Sequence, residues 1–411
     1  MVEREENLLG KGGNAKEMYA LKRIHDEAGD TSHSGNALRF DHTVPLALYV
    51  ARNFNDIVFP FKRSVIGPVF RGERAQKGRF RQFDQCDIDI IGNGKLNIKN
   101  DALVVAVIVD IFEALEVGNF VVGINNRKIL TGMAKDMGIE PKAYLDVWDD
   151  REKVSPEKFQ TMLRDLTPGS TAALDSLEKF KAISDENFVQ TWLTGRKQDC
   201  YNAIIKFGES FGEESLQGAR ELVQLLEILV KNLKVNPARI VPNLFLARGL
   251  DYYTGTVYET QIIDHPEFGA ICAGGRYDDL ASIFTNKKLP GVGISIGLTR
   301  LFAQCLANGI VTPDTASPSQ VLLIAADEEA IPSLLKIGAN LRAAGINAEN
   351  YLEDKKLAKQ FDYADKLKIP YCVVMGENEM AAKEVQLKNM ETGEREMIKV
   401  RQIVEHLQSV F

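Results

Sequence analysis

The 411-residue chain is poor in the residues that build metal centres and disulfide frameworks, with five cysteines and five histidines. The cysteines are scattered without a CxxC pair, and neither zinc-finger spacing nor HExxH occurs. We therefore predict no metal held by protein side chains. An odd, unpaired set of cysteines is typical of reduced thiols, which predicts a cytoplasmic protein.

Long apolar runs are missing as well. The longest, Leu103–Val109 and Val321–Ala326, are each followed by an aspartate, whereas a membrane-spanning helix needs about 20 apolar residues. The first residues, MVEREENLLGKGG, are charged and lack the apolar centre of a secretory signal. We expect neither a membrane span nor a secretory leader.

Positive charge is not in excess, since the formal net charge is −7. This balance argues against a protein coated in positive charge, but not against a local basic groove. Two common nucleotide-binding motifs are also missing. No GxxxxGK[ST] P-loop occurs, and Gly291, Gly293 and Gly297 are spaced one residue too far for GxGxxG.

What the chain does contain is an ordinary globular composition, with 45% hydrophobic residues. Its length predicts roughly two to four domains. The pattern changes along the chain and predicts the following segments: a first part of one domain with strands and a helix at 1–130, a helical insertion at 131–235, a second part with strands at 236–312, a linker at 313–319 and an α/β domain at 320–411. The predicted fold class is α+β.

Several elements are predicted within these segments. In the first, Arg39–Thr43, Val65–Glu73 and Arg79–Ile91 look extended, and Asp101–Leu115 has a helical apolar pattern. In the last segment the pattern predicts strands and helices in alternation, over Val321–Ala325, Glu328–Ala344, Ala348–Tyr351, Asp354–Leu367 and Tyr371–Met375.

Positive charge is concentrated between Lys62 and Arg81, where Glu73 is the sole acidic residue. Arginine guanidinium groups suit phosphate oxygens in two-point contacts, and the nearby ring of Phe83 could stack on a base. A solvated face of an antiparallel sheet is the alternative interpretation. A local basic site in an acidic chain favours a nucleotide phosphate site on a sheet.

Alternation along Arg79–Ile91 separates a polar face from an apolar one. The polar face carries Arg79, Arg81, Phe83, Gln85, Asp87 and Asp89. The opposite face carries Phe80, Gln82, Asp84, Cys86, Ile88 and Ile90, and we expect it to contribute to the core.

Four blocks together resemble the histidyl-tRNA synthetase family of class II aminoacyl-tRNA synthetases. They are VFRGERAQKGRFRQFDQCDIDIIG from Val69, LARGLDYYTGTVYE from Leu246, CAGGRYDDL from Cys272 and GVGISIGLTRL from Gly291. The first looks like class II motif 2 and the last like motif 3, while the middle two resemble blocks of the histidine enzyme. INNRKIL at 124–130 and KQFDYADKLKIPY at 359–371 fit the same family.

The resemblance implies the antiparallel sheet of class II synthetases flanked by helices, a helical insertion and a C-terminal anticodon-binding domain. It implies an ATP-dependent histidine–tRNA ligase that forms histidyl-adenylate, releases pyrophosphate and transfers histidine to the 3′ end of tRNA(His). Mg²⁺ bound with ATP, a homodimer and a cytoplasmic location are implied too.

The resemblance also implies roles for individual residues. The implied ATP-binding residues are Arg71, Glu73, Arg79, Phe83 and Arg300. The implied histidine-binding residues are Asp41, Thr43, Gln85, Asp89, Arg248, Tyr253 and Tyr277. Arg71 and Arg248 are the implied catalytic residues, because fixed cations stabilise the charge that develops on the α-phosphate.

Three features depart from the family pattern. LLGKGGNAKEMY, from Leu8, already matches sequence that normally follows motif 1, so we expect the dimer-forming motif 1 segment to be missing. Asp41 stands where the family often has Glu, and Thr299 where motif 3 often has Glu. His42 is predicted to be structural and not catalytic.

A silent paralogue is the alternative to an enzyme, either a regulatory subunit of ATP phosphoribosyltransferase or a tRNA-sensing domain. Arg248 within an intact LARGLDYY block and the complete C-terminal segment favour the enzyme. From Ser319 onward the sequence has 12 basic and 15 acidic residues. Charge alone therefore does not predict RNA binding there, and shape and base stacking would have to contribute more.

Overall fold

The computed structural model describes residues 1–9, 17–22, 35–74, 78–151, 153–183, 186–247, 252–313 and 316–411. The chain divides into two compact units, Met1–Ile310 and Val311–Phe411. Each unit has its own sheet and its own hydrophobic core.

A mixed sheet forms the centre of the first unit. The strands of this unit are β1 (Val2–Arg4), β2 (Asn36–Leu38), β3 (Phe61–Phe70), β4 (Gln82–Ile91), β5 (Phe120–Asn126), β6 (Ile240–Pro242), β7 (Thr256–Ile262), β8 (Cys272–Tyr277) and β9 (Gly291–Gly297). Seven strands join in the order β3-β4-β9-β8-β7-β5-β6, while β1 pairs with β2. Neighbours in the large sheet are antiparallel except for β5 with β6.

Helices pack around this sheet. They are α1 (Glu5–Leu9), α2 (Thr43–Arg52), α3 (Lys99–Leu115), α4 (Arg127–Asp136), α5 (Pro141–Asp149), α6 (Pro156–Leu166), α7 (Ala172–Ala182), α8 (Glu186–Leu193), α9 (Lys197–Glu209), α10 (Gly212–Glu227) and α11 (Leu298–Ala307). In α3 the buried residues Val104, Val105, Ile108 and Phe112 recur at helical spacing and join the core of the sheet.

Residues 131–235 are mostly helical, and the sheet core continues into them. Trp148 of α5 is buried against the rings of Phe159 and Phe180, at centroid distances of 5.4 and 4.5 Å. The indole N–H of Trp192 donates to the backbone oxygen of Ile240 at 2.7 Å. Since Ile240 begins β6, this hydrogen bond fixes α8 to the edge of the sheet.

The predicted strand at Arg39–Thr43 is wrong, because β2 ends at Leu38 and Thr43 begins α2. The Asp41 carboxylate accepts a hydrogen bond from the Val44 backbone N–H at 3.1 Å. That N–H has no partner within the helix, so an aspartate placed before it favours helix initiation. Pro45 lies in the first turn, where it costs no helical hydrogen bond.

The second unit is a five-stranded sheet with helices. Its elements are β10 (Val321–Ala325), α12 (Ile331–Ala343), β11 (Ala348–Asn350), α13 (Leu357–Lys366), β12 (Tyr371–Met375), α14 (Glu377–Ala382), β13 (Glu384–Asn389), β14 (Arg395–Lys399) and α15 (Ile403–Val410). The order is β11-β10-β12-β13-β14, parallel in the first three strands and antiparallel beyond. Val321 and Leu323 pack on one face, Leu322 and Ile324 on the other. The predicted fold class, including the C-terminal α/β domain, is confirmed.

A buried ion pair links α3 to β8 in the first unit. The Arg276 guanidinium donates to both oxygens of Asp101, at 3.0 and 2.6 Å, and to the Leu96 backbone oxygen at 3.0 Å. The Asp101 side chain is 0% exposed and that of Arg276 is 10% exposed. Burial raises the pKa of Asp101, while the guanidinium opposes this shift.

Asp101→Asn should lower the free energy of unfolding of the first unit by about 3 kcal/mol or more, because it leaves a buried guanidinium without its main counter-charge. Urea unfolding followed by circular dichroism measures this loss. Glu178→Gln is the control, since it removes an exposed pair with Lys181 and should cost about 0.5 kcal/mol or less. Equal losses in the two variants would contradict the role of the buried pair.

Candidate active site

A cavity of about 380 Å³ opens beside β4, β8 and β9. Every predicted site residue that the structure describes lines it: Asp41, Thr43, Arg71, Glu73, Arg79, Phe83, Gln85, Asp89, Tyr253, Tyr277 and Arg300. Arg248 lies outside the described residues. The predicted residues, separated by up to about 260 positions in the chain, thus meet around one space.

Strand alternation delivers the polar side chains of β4 to this cavity. Gln85, Asp87 and Asp89 line it and are only 7%, 2% and 2% exposed. On the opposite face Ile90 lies in the core, and Cys86 and Ile88 pack against it. Phe80 does not follow this pattern, because β4 begins only at Gln82. It lines the cavity instead of joining the predicted core face.

Glycines on β8 and β9 leave room for the polar and aromatic groups. Gly293 lies opposite Asp89 in the ladder, and a Cβ there would press on the Asp89 carboxylate. A Cβ at Gly291 would press on the Tyr277 ring, and one at Gly275 would lie 2.8 Å from the Tyr253 ring. The glycines that do not form a nucleotide loop therefore shape this cavity.

Asp89 is held by a cation and a phenol. The Arg63 guanidinium donates to one carboxylate oxygen at 2.6 Å, and the Tyr277 hydroxyl donates to the other at 2.9 Å. Burial raises the pKa of Asp89, and the charge of Arg63 opposes that shift. Arg63 pairs with Asp89 across β3 and β4, so it positions this carboxylate. The sequence showed Arg63 only as one of several basic residues.

Asp41 is fixed by the start of α2 and by a tyrosine. Besides the Val44 N–H, its carboxylate accepts from the Tyr252 hydroxyl at 3.4 Å. Burial raises the pKa of Asp41. Sequence reasoning missed Tyr252, although it adjoins Tyr253 in the same block and its ring packs 4.9 Å from that of Tyr253.

Arg71 presents its guanidinium between two aromatic rings. Its central carbon lies 4.4 Å from the Phe40 ring centroid and 5.4 Å from that of Phe83. Its Nε–H donates to the Phe40 backbone oxygen at 3.4 Å. Within the described part of the chain no carboxylate lies within 4 Å of this guanidinium. An oriented guanidinium of this kind remains available for an anionic ligand.

Two further arginines line the cavity. Arg79 donates to the Glu73 carboxylate at 3.0 Å, with 49% of the Arg79 side chain exposed. Arg300, in the first turn of α11, donates to the Phe268 backbone oxygen at 2.6 Å. Together with Arg71 these residues make one part of the cavity basic, while the carboxylates of Asp41, Asp87 and Asp89 make another part acidic.

Comparison with known families gives two matches along the chain. A family model described as "Histidyl-tRNA synthetase" matches residues 1–301, and one described as "Anticodon binding domain" matches residues 320–410. The chain belongs to the histidyl-tRNA synthetase family. This confirms the predicted family and the predicted activity of a histidine–tRNA ligase.

Individual relatives agree with this assignment. The chain is 39% identical to a histidine–tRNA ligase of Nostoc sp., over 99% of the chain and 88% of that protein. It is 41% identical to one of Clostridium tetani, over 98% of the chain and 88% of the relative. The crystal structure of histidyl-tRNA synthetase from Nostoc sp. PCC 7120 is similar, with a TM-score of 0.78, 37% identity, and coverage of 100% of this chain and 90% of that one.

Thr299, one of the departures from the family pattern, and the neighbouring question of His42 both have structural explanations. The Thr299 hydroxyl accepts a hydrogen bond from the Asp84 backbone N–H at 2.9 Å, which ties α11 to β4. His42 is buried, and its ring nitrogen lies 3.1 Å from the Gly67 backbone oxygen. Burial lowers the pKa of His42 to about 4. A neutral imidazole that donates to Gly67 agrees with the structural role predicted for it.

Proposed function

We propose that this cavity holds ATP and histidine together and catalyses formation of histidyl-adenylate. The observation that carries the proposal is one cavity with a basic part around Arg71 and an acidic part around Asp89. Phe83 and Asp89 lie six residues apart on β4, and therefore about 20 Å apart. A nucleotide and an amino acid thus find complementary groups at opposite ends of one strand.

ATP is assigned to the basic part. Arg71 binds the α-phosphate, Arg79 and Arg300 bind other parts of the nucleotide, and adenine stacks on Phe83. Glu73 orients Arg79 through their 3.0 Å ion pair. Mg²⁺ bound between the phosphates of ATP would neutralise charge on the leaving pyrophosphate. Phosphate oxygens and water would supply most ligands of this ion, in agreement with the prediction that no metal is held by protein side chains.

Histidine is assigned to the acidic part. Asp41, Thr43 and Gln85 bind the α-ammonium group, and Asp89, Tyr253 and Tyr277 surround the imidazole. Neutral imidazole offers one donor and one acceptor nitrogen. The Asp89 carboxylate can accept from the first, and the Tyr253 hydroxyl can donate to the second.

The reaction is attack of the histidine carboxylate on the α-phosphorus of ATP, with pyrophosphate as the leaving group. Negative charge develops on the non-bridging oxygens of the α-phosphate, where Arg71 stabilises it. Arg248 is assigned the opposite side of this phosphate on its match to the family motif alone. A ribose hydroxyl at the 3′ end of tRNA(His) then attacks the adenylate carbonyl, and AMP leaves.

Recognition of tRNA is assigned in part to the second unit, which matches the anticodon-binding family. Its aromatic residues Tyr351 and Tyr363 pack edge to face at 5.3 Å. The Tyr363 hydroxyl donates to Glu349 at 2.6 Å. Fixed rings of this kind suit stacking with unpaired bases, which does not need an excess of positive charge.

A homodimer is also proposed. Strand β3 is an edge of the large sheet, and Ile66 on it is 67% exposed. Val58 before it is 84% exposed, and Tyr49, whose ring lies 6.1 Å from that of Phe61, is 51% exposed. A sheet edge that carries large exposed apolar side chains is a typical interaction surface.

We propose a cytoplasmic location, since all five cysteines are free thiols in the structure. In the described residues no helix is long and apolar enough to cross a membrane.

The purified chain should catalyse exchange between ATP and labelled pyrophosphate when histidine is added. Other amino acids should give no exchange, because they lack the two ring nitrogens that the Asp89 carboxylate and the Tyr253 hydroxyl are proposed to bind. A radiometric exchange assay with each of the twenty amino acids measures this specificity. Silence with all of them would favour the catalytically silent paralogue.

Arg71→Ala should reduce histidine-dependent exchange by about 100-fold or more, because it removes a fixed cation from the charge that develops in the transition state. Initial exchange rates at saturating ATP and histidine measure the effect. Lys62→Ala is the control. Lys62 is an exposed cation on β3, the strand that ends directly before Arg71, and it does not line the cavity. Similar rates for both variants would refute the catalytic role of Arg71.

Ile66→Asp should shift the chain from dimer to monomer, because it places a charge in the proposed apolar contact. Sedimentation equilibrium measures the mass against the 45.7 kDa of one chain. Ile263→Asp provides the control, since Ile263 is 57% exposed on the segment after β7. A wild-type monomer at micromolar concentration would overturn the proposal.

A further inference from the structure

Asp87 lines the cavity, but no role has been assigned to it so far. It lies between Gln85 and Asp89 on the same face of β4, opposite Ser295 of β9. Its side chain is buried, with 2% of the residue exposed. The sequence pattern placed it on the polar face but gave no reason to single it out.

The neighbouring carboxylates have partners that Asp87 lacks. Both oxygens of Asp89 accept hydrogen bonds from side chains, and Asp41 is bonded to a backbone N–H and a tyrosine. Among the described residues nothing donates to Oδ1 of Asp87, nor to Oε1 of Gln85, its neighbour on this face. Two buried oxygens on this face therefore lack donors, while the Ser295 hydroxyl on β9 also acts on the Asp87 carboxylate.

A buried acceptor oxygen without a donor lowers the stability of a folded protein unless a ligand donates a hydrogen bond to it. Burial raises the pKa of Asp87 to about 7, and the charges of Asp89 and Asp41 contribute to the rise, while Ser295 and Arg63 oppose it. Buried, incompletely bonded groups are concentrated at binding sites, where stability is sacrificed for function.

We propose that the Asp87 carboxylate accepts a hydrogen bond from the α-ammonium group of histidine and thereby selects for an amino acid. This inference rests on the proposed function. An ammonium has three donors, and Asp87 joins Asp41, Thr43 and Gln85 as a fourth acceptor around them, so that one donor is shared between two acceptors. Asp87 is a specificity residue in this proposal and takes no part in bond formation.

Position and charge favour the ammonium over the imidazole ring. Asp87 lies about 7 Å along the strand from Asp89, towards Phe83. If the ring is at Asp89, the α-carbon must point towards the nucleotide, and Asp87 lies beside that path. Of the three buried carboxylates, Asp89 bonds directly to Arg63, and the charge of Arg71 acts on Asp41. The charges of Arg63 and Arg39 act on Asp87 without an ion pair to it among the described residues. A permanently charged ammonium supplies the counter-charge that Asp87 lacks, whereas a neutral ring does not.

The test compares Asp87→Asn with Asp84→Asn in the full chain. Asp84 is on the same strand but on its opposite face and does not line the cavity. The probes are L-histidine and 3-(imidazol-4-yl)propionate, which keeps the ring and carboxylate but lacks the ammonium. Affinities are measured by isothermal titration for both ligands, and thermal unfolding is recorded for every variant.

Asp87→Asn should weaken histidine binding by about 10- to 100-fold, as loss of a hydrogen bond to a charged group does. It should change binding of the propionate by about twofold or less. Its melting temperature should stay level or rise, because a poorly bonded buried carboxylate is removed. Asp84→Asn should leave both affinities unchanged.

Equal weakening of both ligands by Asp87→Asn would overturn the proposal, since it would place Asp87 at the ring. A fall in melting temperature with no selective loss of histidine would overturn it in favour of a structural role. If the wild type itself does not prefer histidine over the propionate, the proposed function fails, and this inference fails with it. Preference in the wild type that survives in Asp87→Asn overturns only the inference.

Discussion

The candidate active-site cavity depends on the burial of three carboxylates, Asp41, Asp87 and Asp89, against one face of an antiparallel sheet. Removing a carboxylate from water costs several kcal/mol unless cations and hydrogen-bond donors replace the lost solvent. Arg63 does this for Asp89, and the first turn of α2 does it for Asp41. Each compensation comes from a different element, so the surrounding fold must be fixed before the carboxylates can be tolerated.

Strand β4 provides that fixed frame because it is hydrogen-bonded on both sides, to β3 and to β9. A slip of one residue would turn the carboxylates towards the core and the apolar residues towards the cavity. The ladder with β9 prevents this and also places Gly293 where it can accommodate Asp89. On the other face of the sheet, α3 and the apolar side chains of β4 share one hydrophobic core, which stabilises the sheet.

Much of this site could be predicted from the sequence. The alternation of side chains in β4 and the family motifs are both patterns of residues that lie close together in the chain. Arg63 was not recognised as a site residue, since its contact with Asp89 depends on the register between two strands. The start of α2 was missed for a different reason. Arg39–Thr43 alternates like a strand, but Asp41 bonds to the Val44 N–H and favours a helix instead. A tertiary contact decides the first case, and a local hydrogen bond between residues three apart decides the second.

In the second unit, too, some elements could be predicted from the sequence and others could not. Strands β10 and β12, whose apolar runs are buried on both faces, have the predicted bounds. Elements β13, β14 and α15 were not predicted; the two strands are partly exposed and contain several charged residues in place of an apolar run. Composition also hid the function of this unit, since acidic residues outnumber basic ones and only the family match indicates RNA recognition.

Selectivity in this cavity follows from what an incorrect ligand leaves unbonded. A hydrophobic pocket distinguishes ligands that differ by a methylene by only about 10- to 200-fold, whereas a site that must satisfy buried polar groups can reach about 10⁴- to 10⁵-fold. Asp89 and the tyrosines around it are already partly hydrogen-bonded to one another. A ligand without ring nitrogens would form no hydrogen bonds to replace those that it breaks. In our proposal, Asp87 extends this principle from the ring to the amino group. The free-energy cost of leaving oxygens of Asp87 and Gln85 without donors in the empty cavity is then a source of selectivity, and the rigid sheet allows the protein to tolerate that cost.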